Sequence, residues 1–130
     1  MPHVLIVEDD EPLRQTLRLL LEGEGYGVSE APDGRPALER LHTSPQRLVV
    51  LLDVQMPGMD GRQVMEAVAA HDMLATRHTY ILMTANAHTL PLPFAILLTQ
   101  LGVPVLAKPF DVDRLLATVA QAAQRIASDP

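Results

Sequence analysis

Two spacings of hydrophobic residues alternate along this chain. One is a short, nearly continuous apolar run: HVLIV (3–7), YGVSEA (26–31), LVVLLD (48–53), TYILMT (79–84) and VPVLA (103–107). Four of these lack the in–out alternation of a half-exposed strand, as expected of strands covered on both faces in a parallel sheet. The other spacing is i, i+3, i+4. Leu13, Thr16, Leu17, Leu20 and Leu21 follow it behind Pro12, which suits a first helical turn, and Gly23 suits the helix end. Ala37, Leu38 and Leu41 follow Asp33 and Pro36, Val64, Met65 and Val68 follow Asp60–Gly61, and Leu115, Leu116, Val119, Ala123 and Ile126 form a last stripe. Between the fourth and fifth runs, Pro93 can open a helix and Gly102 can close it, with Phe94, Leu97, Leu98 and Leu101 on one face. Strand and helix thus alternate five times, which predicts an α/β fold with a doubly wound parallel sheet. Pro104 cannot donate to a ladder, so the fifth strand is expected at a sheet edge.

Composition narrows this picture. The 130 residues suit one domain, 1–130, with a core built from aliphatic side chains because aromatics are only 3%. There is no cysteine, which excludes disulfides and thiolate metal sites and fits a reducing compartment. The N-terminus does not read as a signal peptide, and the longest apolar stretch, LPLPFAILL (90–98), is far short of the ~20 residues of a membrane helix. A cytoplasmic chain without membrane insertion is the expectation. The net charge of -6, with no basic cluster, argues against direct nucleic-acid binding. Among the cations, nine are arginine and one is lysine, Lys108.

The polar residues gather at the ends of the predicted strands. The first run ends in Glu8-Asp9-Asp10, the third in Asp53, the fourth in Thr84-Ala85-Asn86 and the fifth in Lys108-Pro109-Phe110. Ligand sites of open α/β sheets form at that edge. Each residue also has a bland explanation: Asp10 or Glu11 as a helix cap, Asp53 as a turn residue, Thr84 as a cap, Lys108 as a solvated charge. Four strand ends supplying complementary chemistry weigh against coincidence. Clustered carboxylates raise one another's pKa unless a cation is present, and an all-oxygen set suits Mg²⁺. The five histidines, at 3, 42, 71, 78 and 88, show no ligand spacing and read as surface residues or fillers. A carboxylate beside Mg²⁺, with lysine and a hydroxyl opposite, is arranged for phosphoryl transfer.

VLIVEDD, LLDVQMPGMDG, TA and KPF, in this order and spacing, resemble the receiver domain of two-component response regulators across essentially the whole chain. The resemblance implies a flavodoxin-like sheet of order 2-1-3-4-5 flanked by five helices. It implies that Asp53 accepts phosphate from a sensor histidine kinase or a histidine phosphotransfer protein. Glu8, Asp9, Asp53 and the Gln55 backbone carbonyl would hold Mg²⁺. Thr84, the Ala85 backbone N–H and Lys108 would contact the phosphoryl oxygens. The Lys108–Pro109 bond would be cis, and Gln55 and Asn86 would occupy the two positions that tune phosphate lifetime.

Departures from the pattern concern output. Receivers usually carry Tyr or Phe three residues before the lysine; here the residue is Val105. The segment between Thr84 and Lys108 is unusually apolar. Its helix needs Phe94, Leu97, Leu98 and Leu101 for the core, which leaves Leu90, Leu92 and Ile96. These three are expected either in a homodimer or partner contact or in a loop packed over the missing aromatic. They border the face of the fourth helix, fifth strand and fifth helix, through which a receiver switches binding to a downstream protein. The leading expectation is a stand-alone receiver, a phosphoacceptor that acts only on its own phosphorylation and dephosphorylation. The alternative is a receiver-fold interaction module that no longer switches. An aspartyl-nucleophile phosphatase usually needs an Asp where Gln55 stands, and a flavin binder needs a hydroxyl- and glycine-rich loop where EDDEPLR stands.

Overall fold

The computed structural model describes residues 2–128. The elements in chain order are β1 (His3–Val7), α1 (Glu11–Gly23), β2 (Gly27–Ala31), α2 (Gly34–Thr43), β3 (Leu48–Asp53), α3 (Gly61–Ala69), α4 (Asp72–Arg77), β4 (Thr79–Thr84), α5 (Leu92–Leu101), β5 (Val105–Ala107) and α6 (Val112–Ser128). The five strands are parallel and lie in the order β2-β1-β3-β4-β5. Alternate strand residues feed two cores. Leu5, Val50, Leu52 and Leu82 pack with Leu41, Val64, Val68, Phe94 and Leu98 from α2, α3 and α5. Val4, Ile6, Val49, Leu51 and Ile81 pack with Leu17 and Leu21 of α1 and Leu115 and Val119 of α6 on the other face. Burial on both faces is why these strands read as continuous apolar runs rather than alternating ones.

Local chemistry sets the helix boundaries. Asp10, Asp33 and Asp60 each accept a backbone N–H as N-caps, and Asp60 and Gln63 form a reciprocal capping box. Pro93 lies in the first turn of α5, and Gly102 ends that helix with φ 68°, a left-handed conformation that glycine adopts without cost. At the end of α1, Glu24 is the C-cap, and the residue with positive φ is Gly25 rather than Gly23. The fifth strand is an edge, as Pro104 implied, but it begins only at Val105; the second begins at Gly27.

Two expectations are corrected. The helices number six among the described residues, not five, because α4 sits between α3 and β4. Only Leu74 of α4 is buried, so it has no periodic stripe for a sequence reading to detect. The second correction concerns the histidines. His78 is neither a surface residue nor a filler: it is 3% exposed, its Nδ1 accepts the Leu48 N–H at 3.0 Å and its Nε2 meets the Leu41 carbonyl at 2.8 Å. Because a carbonyl only accepts, Nε2 carries the proton, and the ring joins the end of α2 to the starts of β3 and β4.

Candidate functional site

Strand register brings the polar strand ends together. Val7 lies opposite Leu52, Asp53 opposite Met83 and Thr84 opposite Ala107, so Glu8, Asp53, Thr84 and Lys108 emerge along one edge. Glu8 is buried at 1% exposure. Its Oε1 accepts from Lys108 Nζ at 2.6 Å, its Oε2 accepts the Asp10 N–H at 3.2 Å, and its backbone carbonyl accepts from Arg14 Nη1 at 2.8 Å. Asp53 is also buried, and its Oδ1 stands 3.2 Å from Lys108 Nζ. Lys108 is fixed in turn by its backbone N–H, which donates to the Thr84 carbonyl at 2.8 Å. The Lys108–Pro109 peptide bond is cis.

Asp9 is exposed at the mouth of the cluster, and carboxylate oxygens of Glu8, Asp9 and Asp53 lie within 4.8 Å of one another. Desolvation and the neighbouring Glu8 push the Asp9 carboxyl above the usual carboxylate range. Burial by itself would lower the pKa of Lys108, but the Glu8 hydrogen bond and the charges of Asp53 and Glu8 outweigh it and hold the ammonium above its ordinary value. The three-oxygen donor set has the chemistry of a hard divalent cation site. Both Glu8 oxygens already have donors, so Lys108 and an incoming cation would share that carboxylate.

Thr84 is buried, and its Oγ1 accepts the Asn86 N–H at 3.0 Å. That contact uses a lone pair and leaves the hydroxyl proton for an acceptor in the site. Ala85 and Asn86 are exposed on the loop after β4, and Gln55 is exposed on the loop after β3. Farther along, the residues singled out for output separate. Leu90 is half-buried against the core, as is Val105 on β5. Leu92 and Ile96 stay outside, at 70% and 47% exposure.

Sequence reasoning missed two residues that shape the site. Arg14 ties the end of β1 to Glu30 of β2, with Nε 2.7 Å from Glu30 Oε1, and holds the Glu8 carbonyl from the same guanidinium. Nothing in its spacing marks it, because its partners come from other elements. Gly61 packs against the backbone carrying Asp53, and its N–H donates to the Val54 carbonyl at 3.0 Å. The Asp-Gly pair was visible; the close approach was not.

A doubly wound parallel sheet in this order, with carboxylates and a lysine at one edge, defines a receiver-type domain. The family model for the response regulator receiver domain matches residues 4–120, and the chain belongs to that family. The transcriptional regulatory protein FixJ of Bradyrhizobium diazoefficiens is 32% identical over 121 residues, which cover 92% of this chain and 56% of FixJ. A CheY-like receiver domain protein from Methanospirillum hungatei aligns with a TM-score of 0.83 at 25% identity and 98% coverage of both chains. CheY4 of Vibrio cholerae aligns with a TM-score of 0.77 at 30% identity, over 94% of this chain and 98% of that one. The chain spans about half the length of the first curated relatives it matches. No helix among the described residues is long and apolar enough to cross a membrane.

Proposed function

We propose that the chain is a phosphoacceptor: Asp53 takes a phosphoryl group from a phosphohistidine on a sensor histidine kinase or histidine phosphotransfer protein. The observation that carries this reading is the seat of Lys108 Nζ, 3.2 Å from Asp53 Oδ1 and 2.6 Å from Glu8 Oε1. A compact ammonium is thereby fixed beside a buried carboxylate at the one edge where a hydroxyl and further carboxylates converge. In the transfer, an Asp53 oxygen attacks phosphorus, the P–N bond breaks, and the electron pair leaves with the imidazole. Lys108 then moves its contact from Asp53 to a phosphoryl oxygen, the Thr84 hydroxyl donates to another, and the Ala85 N–H donates beside it. Mg²⁺, when bound by Glu8, Asp9, Asp53 and the Gln55 carbonyl, supplies neutralisation of the phosphoryl charge. Gln55 and Asn86 border the path of attacking water and so bear on the lifetime of the phosphate.

The output is a change in binding to a downstream protein or a second copy through the face of α5, β5 and α6. Leu92 and Ile96 are exposed there, and Leu90 and Val105 are half-buried against the core. The domain works in the cytoplasm, has no direct nucleic-acid contact and catalyses nothing beyond its own phosphorylation and dephosphorylation.

Incubation with acetyl phosphate and Mg²⁺, read by intact mass, is expected to add one base-labile phosphate. The adduct is expected to vanish in Asp53→Asn and on chelation of the metal. No adduct from any donor or kinase rejects the proposal. That result would favour an interaction module that does not switch, a reading supported by Val105 in the aromatic position and by the exposure of Leu92 and Ile96. A second expectation concerns Lys108→Arg. A planar fork does not fit the seat of a point charge between Glu8 and Asp53. This variant is expected to lose the phosphorylation-dependent change in amide exchange of α5 and β5, and an unaltered change would refute the switching role.

A further inference from the structure

Two histidines from distant parts of the chain meet at the end of the molecule away from Asp53. His42 lies in the last turn of α2, and His71 follows the end of α3. Both helices pack on one face of the sheet, through Leu41, Val64 and Val68. Helix α3 starts at Gly61 against the Asp53 backbone, so its other end points away from Asp53. The two rings are exposed, and their centroids stand 5.2 Å apart with planes at 80°.

Each ring has an ordinary explanation. A histidine in the last turn of a helix suits the dipole there, and a residue placed like His71 can cap the helix that follows. His71 precedes α4, but its side chain makes no capping hydrogen bond. Neither ring has a hydrogen bond or ion pair among the described residues. The dipole accounts for His42 alone and not for its meeting with a second imidazole. The separation of the rings matches a shared ion: two imidazoles bound to one tetrahedral metal at about 2.0–2.1 Å per nitrogen have centroids about 5 Å apart. Because both rings are exposed, rotation about their side-chain bonds turns one nitrogen of each toward a common point. Glu39 offers a third donor. It is exposed and stands at i, i+3 to His42, on the same side of α2. Its carboxylate has no hydrogen bond or ion pair among the described residues. It is not gathered with the rings in place, since the three-donor group among the described residues is Glu8, Asp9 and Asp53; it joins them by a swing of its exposed side chain.

We infer that His42 and His71 form a second metal site, which takes a divalent transition ion of the zinc type with Glu39 as third ligand and water completing the shell. Imidazole selects such ions, whereas Mg²⁺ prefers the all-oxygen cluster. The site stands apart from Asp53 and does not rest on the phosphoacceptor reading. The test uses the full chain without a histidine tag, in excess Mg²⁺ to fill the acidic cluster, titrated with Zn²⁺ while histidine ring protons and backbone amides are followed by NMR. Saturable shifts are expected at the His42 and His71 rings and at the amides of Thr43 and Asp72, with the rings of His3, His78 and His88 unmoved. His42→Ala and His71→Ala, both at exposed positions, are each expected to weaken Zn²⁺ binding at least about tenfold without moving the metal-free thermal midpoint. Glu39→Gln is expected to weaken it by a smaller factor. No saturable shift at the two rings, equal affinity at the isolated His88, or unchanged affinity in either histidine variant would overturn the site. Unchanged affinity in Glu39→Gln would overturn the role of the carboxylate.

Discussion

Replacing His78 with alanine is expected to lower the free energy of unfolding by about 3 kcal/mol, through two unpaired backbone groups and a cavity. The Leu48 N–H and the Leu41 carbonyl would both lose their partner in a buried setting. For a domain of this size the thermal midpoint would fall by roughly 10 °C. The same ring makes stability depend on pH. Burial lowers the His78 pKa from its ordinary value of 6.5, the Leu41 bond opposes that, and Arg77 and Arg47 add to the lowering. The unfolded chain therefore takes up a proton on this ring at a higher pH than the folded one does. The stabilisation is fully present above the unfolded value and is lost as pH falls toward the folded one, because a protonated Nδ1 cannot accept from Leu48. Denaturant unfolding between about pH 7.5 and pH 5.5 should show this loss in the parent chain and a shallower slope in His78→Ala. Equal slopes would assign the pH dependence to another group.

His78 also shows where the sequence stopped being readable. The strands were legible because burial on both faces leaves long apolar runs, and the caps because Asp10, Asp33 and Asp60 stand directly before helical stripes. The polar edge of the sheet was legible for a related reason: parallel strands put all their C-terminal ends on one side, so residues far apart in the chain could be assigned to one place. Glu8 and Lys108 are one hundred positions apart and meet at 2.6 Å. What escaped detection depends on partners from other elements. A histidine between Arg77 and Thr79 looks like filler until Leu41 and Leu48 are seen to close around it. Arg14 looks like a solvated helix residue until Glu8 and Glu30 are found beneath it. Helix α4 has one buried side chain and therefore no period. Leu90, Leu92 and Ile96 formed one apolar group in the sequence, yet Leu90 packs half-buried against the core while the other two remain outside, which only the path of the chain after Thr84 decides.

Gly61→Ala is expected to impair the candidate phosphoacceptor more than a distant core substitution of equal stability cost. A Cβ built on Gly61 would lie 2.3 Å from the Asp53 carbonyl oxygen and 2.8 Å from Val54 Cα. Both are backbone atoms, so no side chain can swing aside; either the end of β3 or the start of α3 must move. Overpacking of this kind costs about 1–3 kcal/mol. The larger consequence concerns geometry. Asp53 is held by the β3 ladder on one side and by Lys108 on the other, at 3.2 Å. Displacing its backbone by about 1 Å misaligns the attacking oxygen and can slow transfer on the order of a hundredfold. Phosphorylation by acetyl phosphate, timed by intact mass, is therefore expected to slow far more in Gly61→Ala than in a core variant such as Val68→Ala, chosen for a matched midpoint. Val68 is fully buried but lies on the far part of α3, away from Asp53. Equal rates in the two variants would mean that the α3 start tolerates the methyl without moving β3, and that the glycine serves only local packing. A selective loss would make the Asp60–Gly61 turn part of what positions Asp53, through a contact that has no side chain.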